Sequence, residues 1–496
     1  MSPTSTSIVE NTRNELENLL EFVMSNKQEQ QTAYDAERHI WKGVLLLGRL
    51  LMQLFFTIHS EREERHKAIQ VKAERLAYSG QPDRQYVSLF GAVKLKRYHY
   101  WEKGRDGVHP LDATLSIPER IYSDCVQELL TAMEVWMPQD QTLGLLSNWF
   151  DLRLPKKSLQ ASASDQSDYQ TAYYDQQSPP ETPDQDSILV VTADGKGIPM
   201  TRKDSPEPSA RRGKGQNKTA TKEAIITSAY TVAPYVRSSE HIIQALLASQ
   251  SALEGSKTGS TRPKPNGKQT FGTLNGKATA LNHLAQVLKH RNTLNISHRL
   301  ALTDGSIALQ KRTLEAFPEH TLILDIIHAV EYLWKAVNAL LGETHPDRRS
   351  WINDALRCLL ENDLDHLLNH LDYQRDAGDL SANKRKTLTT VVNYLRRNRP
   401  YMDYQLYLAK GYPIGTGVIE GACRHLVKDR FEQAGMRWSC KGAEEMLKLR
   451  AVYLNGDWDD FHQFRREQAH IKRYATPHPV HALADSPEPF LLRRAA

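Results

Sequence analysis

Ile188-Leu189-Val190-Val191-Thr192-Ala193-Asp194-Gly195 is the stretch on which the fold turns: an apolar strand over residues 188–191 that delivers an aspartate at its end. The pattern returns twice. Residues 300–303 read as a strand ending in Asp304-Gly305, followed by a helix that runs to Phe317 and Pro318, and residues 321–324 read as a strand ending in Asp325. A further strand is expected over residues 223–232 and a helix over 281–289. Strands that alternate with helices predict a mixed α/β sheet.

In such sheets the carboxyl ends of the strands face the ligand crevice, so Asp194, Asp304 and Asp325 point toward one shared site. A single Asp-Gly is more commonly a turn residue that accepts backbone hydrogen bonds. Three such strand ends in succession shift the reading toward chemistry. Two hard cations about 3.5–4 Å apart can stabilise the nucleophile and leaving oxygen of a phosphodiester. Mg²⁺ prefers oxygen ligands and needs only a few carboxylates, because water and phosphate complete its shell.

A third carboxylate is offered by Pro413-Ile414-Gly415-Thr416-Gly417-Val418-Ile419-Glu420-Gly421, a glycine-rich turn that leads into a helix through Arg430. Helical spacing sets Glu420, Arg424 and Lys428 along one face, with Ala422 and Leu426 nearer the packed side. A metal-binding carboxylate would then lie beside two cations for phosphate. Taken alone, Glu420 and Arg424 read rather as a surface ion pair, and it is the neighbouring motifs that turn the reading toward a metal. Further on, Arg437 offers a phosphate contact, and Trp438 is either a stacking platform for an unpaired base or a core tryptophan.

These motifs resemble the transposases of Kra-type bacterial insertion sequences, which are similar in catalytic plan to the eukaryotic Mutator-like elements. The resemblance rests on Thr192-Ala193-Asp194-Gly195-Lys196-Gly197-Ile198-Pro199, on Leu302-Thr303-Asp304-Gly305 with Phe317-Pro318, on Asp325-x-x-His328, and on the block from Gly415 to Ser439. It covers roughly residues 85–468. It implies an RNase H-like α/β core with Asp194, Asp304 and Glu420 as a metal-binding DDE set for two Mg²⁺ ions, for which Mn²⁺ can substitute. Asp325 and His328 match the accessory motif, and Asp304 is preferred to Asp325 as second acid. Residues 329–400, helical in pattern throughout, would be an all-α insertion ahead of the final acidic helix in residues 401–468. Relatives often carry a Cys pair near Tyr98 to Gly107; it is absent here, so no zinc ribbon is expected.

Outward from the core, residues 12–78 read as mainly helical, residues 85–100 as a β-hairpin turning at Gly91, and residues 121–160 as short helices. The last of these starts at Lys156 and Lys157, and the set fits either a helix-turn-helix or an ordinary bundle. The expected divisions are thus a helical region over 1–80, a DNA-binding region over 81–160, an acidic linker over 161–187 without Lys or Arg, the core from 188 to 328, and a tail over 469–496. Residues 202–222 and 251–276 read as loops. The first carries seven Lys or Arg against two acids, Arg211 and Arg212 among them, and would clamp phosphates.

The chain has 496 residues, enough for about two to four domains. A net charge of +5 permits nucleic-acid binding without requiring it. Residues 44–58, broken by Gly48, Arg49 and Gln53, read as falling short of a membrane-spanning helix, and the polar residues 1–26 do not read as a signal peptide. Cys125, Cys358, Cys423 and Cys440 form no framework, so an intracellular protein is expected. The resemblance implies a cytoplasmic, nucleoid-associated enzyme that binds its element's terminal inverted repeats and target DNA as a homodimer or larger assembly. An RNase H-like nuclease without strand transfer and a non-catalytic DNA-binding descendant are the competing readings.

Overall fold

The computed structural model describes residues 2–24, 32–71, 74–178, 187–204, 221–247, 262–291, 296–377, 380–474 and 481–482. The chain divides into two compact units, Met1–Tyr173 with Trp458–Ala496, and Tyr174–Asp457.

The first unit opens with helices Pro3–Met24 and Ala33–Arg62. Helix then gives way to strands β1 (Ala68–Val71) and β2 (Glu74–Gly80), where the sequence reading expected helix as far as residue 78. The reason is period-two burial: Leu76 points inward while its neighbours Arg75 and Ala77 are exposed, and Leu76 packs with Ile69 and Tyr100. The expected hairpin is present as β3 (Asp83–Ser88) and β4 (Gly91–Lys96), followed by β5 (His99–Trp101).

Helices Asp124–Glu134, Gln139–Phe150 and Lys156–Ser167 enclose Val126, Leu130, Leu146 and Leu159. Much of the expected linker is therefore helix, with Gln170–Gln176 after it, and only residues 179–186 lie outside the described residues. Its polar composition is satisfied internally. The buried Gln166 carboxamide donates to the Gln127 carbonyl at 3.0 Å and to the Ser162 hydroxyl at 2.9 Å, and accepts from Thr131 at 3.1 Å. The core also ends earlier than residue 468. Helix Trp458–Tyr474 belongs to the first unit, where Arg465 pairs with Asp124 at 2.9 Å and Phe461 meets Tyr173 edge-on.

The 30 residues of helix Ala33–Arg62 are long and apolar enough to cross a membrane by length and composition alone, a test that core helices of soluble proteins also pass, and Gly48, Arg49 and Gln53 interrupt its apolar run. It is the single such helix among the described residues.

The second unit is a mixed α/β structure. Strands β6 (Ile188–Pro199), β7 (Thr221–Val232), β8 (Asn266–Thr273), β9 (His298–Thr303) and β10 (Thr321–Leu324) form one sheet in the order β10-β9-β6-β7-β8. β10, β9 and β6 are mutually parallel, and β7 runs antiparallel to both β6 and β8. β8 falls inside the stretch expected as loop. Its polar side chains are paired, Thr270 with Ser228 at 2.7 Å and Thr273 with Glu444 at 2.7 Å, which lets a Gly- and Thr-rich segment close the sheet edge.

Alternation along the strands sorts the two faces. Val191, Ala193, Ala301 and Leu322 pack against helices Gly276–His290 and Ile307–Ala316. Ile188, Val190, Leu300, Leu302 and Ile323 face a block of four helices, Ile326–Leu341, Arg348–Leu360, Leu364–Ala377 and Ala382–Asn398, as the sequence pattern led us to expect.

Candidate active site

Register places the three aspartates side by side. Thr192 of β6 pairs with Leu302 of β9, and Thr303 of β9 pairs with Leu324 of β10, so Asp194, Asp304 and Asp325 occupy equivalent levels on adjacent parallel strands. Each also continues the row of Val190, Leu302 or Ile323, which is the face toward the helical block. One detail departs from expectation: Asp194 lies within β6, not at its end. The antiparallel partner β7 carries β6 on to Pro199, whereas pairing with β9 stops at Thr192. The chain is therefore open on the β9 side where Asp194 sits.

The aspartates differ in what surrounds them. Asp325 is fully buried and caps the helix Ile326–Leu341. Its Oδ1 accepts from the amides of Ile327 and Thr416, both at 3.1 Å, and its Oδ2 accepts from the Thr416 hydroxyl and from His328 Nδ1, the latter at 2.8 Å. Four donors nearly exhaust the lone pairs of a carboxylate, which leaves little for a cation. Asp304 is partly exposed, and its Oδ1 accepts one amide, that of Ser306, at 2.9 Å. Asp194 accepts from the Gly195 amide at 2.6 Å and from the Cys423 thiol at 3.4 Å.

Glu420 arrives from the far side of the helical block. The Ile326 amide donates to the Ile414 carbonyl at 2.9 Å, and with the two Thr416 donors this fixes the glycine-rich turn to the start of the helix at Asp325. The turn then opens helix Gly417–Ala422. A π-helical turn, Cys423–Lys428, follows at once and widens the helix, a feature frequent at functional sites. It buries Cys423, Leu426 and Val427, leaving Arg424 and Lys428 exposed as expected. Arg424 pairs with Asp429 at 3.8 Å, five residues on, in place of the Glu420 partner that regular helical spacing offered.

The electrostatics of the site are those of crowded acids. Burial raises the Asp194 carboxyl above its usual range, helped by the charge of Asp304 and opposed by His328. Burial likewise raises Glu420, with Asp325 and Asp194 adding to the effect and His328 offsetting it. His328 is pushed up to about 9, first by its hydrogen bond to Asp325, so it is an imidazolium at neutral pH. Among the described residues, Asp325, His328 and Glu420 are the trio whose ligand atoms lie within 4.8 Å of one another. This is not the set the sequence pointed to. Asp325 is already saturated by four donors and His328 is protonated, so within the trio Glu420 keeps its acceptor capacity.

The remaining sequence-derived residues are scattered. Trp438 is half-buried beside Phe431 and Arg430, and its backbone pairs with Pro199, the last residue of β6, and with Thr201 just beyond it. Its indole Nε1 is buried without a hydrogen-bond partner among the described residues. Arg437 is exposed. Lys156 and Lys157 belong to the first unit, and Lys156 pairs with Asp140 at 2.6 Å. Arg211 and Arg212 lie outside the described residues.

Sequence reasoning missed Thr416, Cys423 and the pair Tyr394 and Arg397. From the helical block, the Tyr394 hydroxyl donates to the Asp304 carbonyl at 2.9 Å and Arg397 donates to the Gly305 carbonyl at 2.7 Å. Tyr394 is itself stacked on Tyr332 at 3.6 Å. Thr416 was discoverable, being the one hydroxyl in the glycine-rich turn. Nothing in a periodic helix marked Tyr394 or Arg397. No protein-family model matches the chain, and no curated protein matches it.

Proposed function

We propose that the chain is a DNA transposase with an RNase H-like core, an all-α insertion over residues 329–400, and a DDE mechanism. The observation that carries this reading is that Asp194 and Asp304 stand level on adjacent parallel strands, with Glu420 on the returning helix close enough to Asp194 for its charge to be felt. Support for the fold comes from the sheet, in which β7 alone runs against the other four strands and the first acid lies on the central strand.

The donor set suits Mg²⁺, or Mn²⁺ in its place. It is all carboxylate, part-exposed, and two of its members are raised by burial and mutual charge, so a cation would relieve the repulsion. Asp194, Asp304 and Glu420 would hold two ions, which supply an activated water and stabilise the leaving oxygen. The protein's own share is positional. Asp325 and His328 fix the Glu420 turn, Tyr394 and Arg397 fix the Asp304 loop, and Cys423 orients Asp194.

Arg424, Lys428, Arg437 and Trp438 would meet the strand near the acids, and Lys156, Lys157, Arg211 and Arg212 would add contacts to the element ends. Two ends processed together favour a homodimer or larger assembly in the cytoplasm, on the nucleoid.

The test is strand transfer into a plasmid by the purified chain with Mg²⁺. Joined ends are the expected product. Nicks without joining would replace the transposase reading with a nuclease, and bound but uncut DNA would leave only a binding protein.

A further inference from the structure

Beside the turn that carries Glu420 lies a cavity of about 350 Å³, lined by Tyr230, Tyr235, Arg237, Arg262, Lys264 and Gly417 together with proline and valine side chains. Among the described residues, three cations line it and no carboxylate does. Among the described residues, Arg237 meets only backbone carbonyls, that of Tyr235 at 3.1 Å and that of Tyr412, with its guanidinium 5.8 Å from the Tyr235 ring. Neither Arg262 nor Lys264 meets a carboxylate there. Burial, aided by the nearby Arg262, pushes the Arg237 guanidinium down to about 10, and among the described residues no carboxylate offsets this charge.

The cationic lining suits an anion, and the walls say which kind. A phosphate or sulfate alone would leave the tyrosine, proline and valine surfaces wet. A cavity of this size is at the small end of ligand pockets, roughly 300–1,000 Å³, and too small for a double helix. Aromatic and apolar walls next to unpaired cations are the combination that holds unpaired nucleic acid, because any base has a face to stack while the backbone needs charge. Gly417, which opens the helix bearing Glu420, forms part of the rim, so a strand lying across the acids has a neighbouring nucleotide at this opening.

We propose that this cavity takes one nucleotide of an unpaired strand, its phosphate on Arg237, Arg262 and Lys264 and its base against Tyr235. The proposal rests on the transposase reading for the origin of the strand but not for its binding. The cavity would hold a nucleotide displaced from the duplex next to the cleavage point, which makes it a determinant of where the strand is cut.

The experiment measures fluorescence anisotropy of the full chain, without metal, on a labelled oligothymidylate about ten nucleotides long and on a duplex of equal length. Arg262→Glu combined with Lys264→Glu is expected to weaken oligothymidylate binding by about tenfold or more and to change duplex binding by less than about twofold. Tyr235→Ala is expected to weaken the oligothymidylate by about tenfold, with Tyr235→Phe close to the parent. Unchanged oligothymidylate binding in the charge-reversed protein overturns the proposal. So does an equal loss on duplex, which makes the patch a general electrostatic surface, or a parent protein that does not bind the oligothymidylate. Plasmid cutting in Mg²⁺, measured separately, keeps the two readings apart. A chain that cuts but whose variants bind as the parent does refutes only the cavity, and a chain whose variants lose the oligothymidylate but which never cuts refutes only the transposase.

Discussion

The buried carboxylate of Asp325 is gripped by Thr416, 91 residues further along the chain, through both its amide at 3.1 Å and its hydroxyl. This is the contact that returns the chain from the helical block to the sheet with Glu420 in place. Thr416→Val keeps the shape but leaves a buried charged oxygen short of a donor. It should cost about 1–3 kcal/mol in chemical denaturation, and Thr416→Ser should recover most of it. On the proposed function it should also slow cleavage more than it weakens DNA binding, since misplacing a catalytic group by about 1 Å can cost about 100-fold. A Thr416→Val protein as stable as the parent would show that the hydroxyl contributes nothing.

Asp304 and Asp325 can be told apart by stability as well as activity. Asp325→Asn breaks a saturated buried network and should destabilise the second unit by about 2 kcal/mol or more. Asp194→Asn and Glu420→Gln remove carboxylates already raised by burial, so each should match or exceed the parent in thermal stability. On the proposed function, these two variants and Asp304→Asn should lose metal-dependent cutting while retaining DNA binding. If Asp304→Asn cuts normally and Asp325→Asn is folded but inactive, the second acid has been misassigned.

Tyr394 links the helical block to the site through a single hydroxyl. Tyr394→Phe retains the ring stacked on Tyr332 and removes only the donor to the Asp304 carbonyl, at an expected cost of about 0.5–1.5 kcal/mol. Gly305→Ala should cost more. Gly305 has φ +83°, and a Cβ there would come 2.6 Å from the Tyr394 hydroxyl. Thermal denaturation of the two variants tests the order, and an alanine variant no worse than the phenylalanine one would contradict it.

The strands were legible because apolar runs closed by Asp announce both burial and direction: β9 and β10 end just before Asp304 and Asp325 as read, while β6 runs on past Asp194 to Pro199 because β7 pairs with it there. The support for the acids was not. Tyr394 and Arg397 reach the Asp304 loop only because helix Ala382–Asn398 packs back on the sheet, a long-range event without a local signature. The misread segments share a cause as well. Residues 161–176 and β8 looked like linker and loop on composition, yet their Ser, Thr and Gln groups are hydrogen-bonded inside the fold, and polarity alone does not distinguish solvated from paired.

His328 gives the site a pH signature. Its imidazolium is raised from 6.5 to about 9, chiefly by the hydrogen bond to Asp325 and against the opposing effect of burial. A folded-state value above the unfolded one means that the folded protein holds the proton more tightly. The stabilisation is complete below about pH 6.5 and is lost as pH rises through about 9. Denaturation of the parent and of His328→Gln at several pH values across that window isolates this contribution from the other titrating groups. The gap between the two proteins should be widest at about pH 6.5 and below and should narrow as pH rises through about 9 and the histidine deprotonates. A gap that does not change with pH would mean that the imidazole is neutral throughout and that Asp325 is held by Thr416 and the backbone alone.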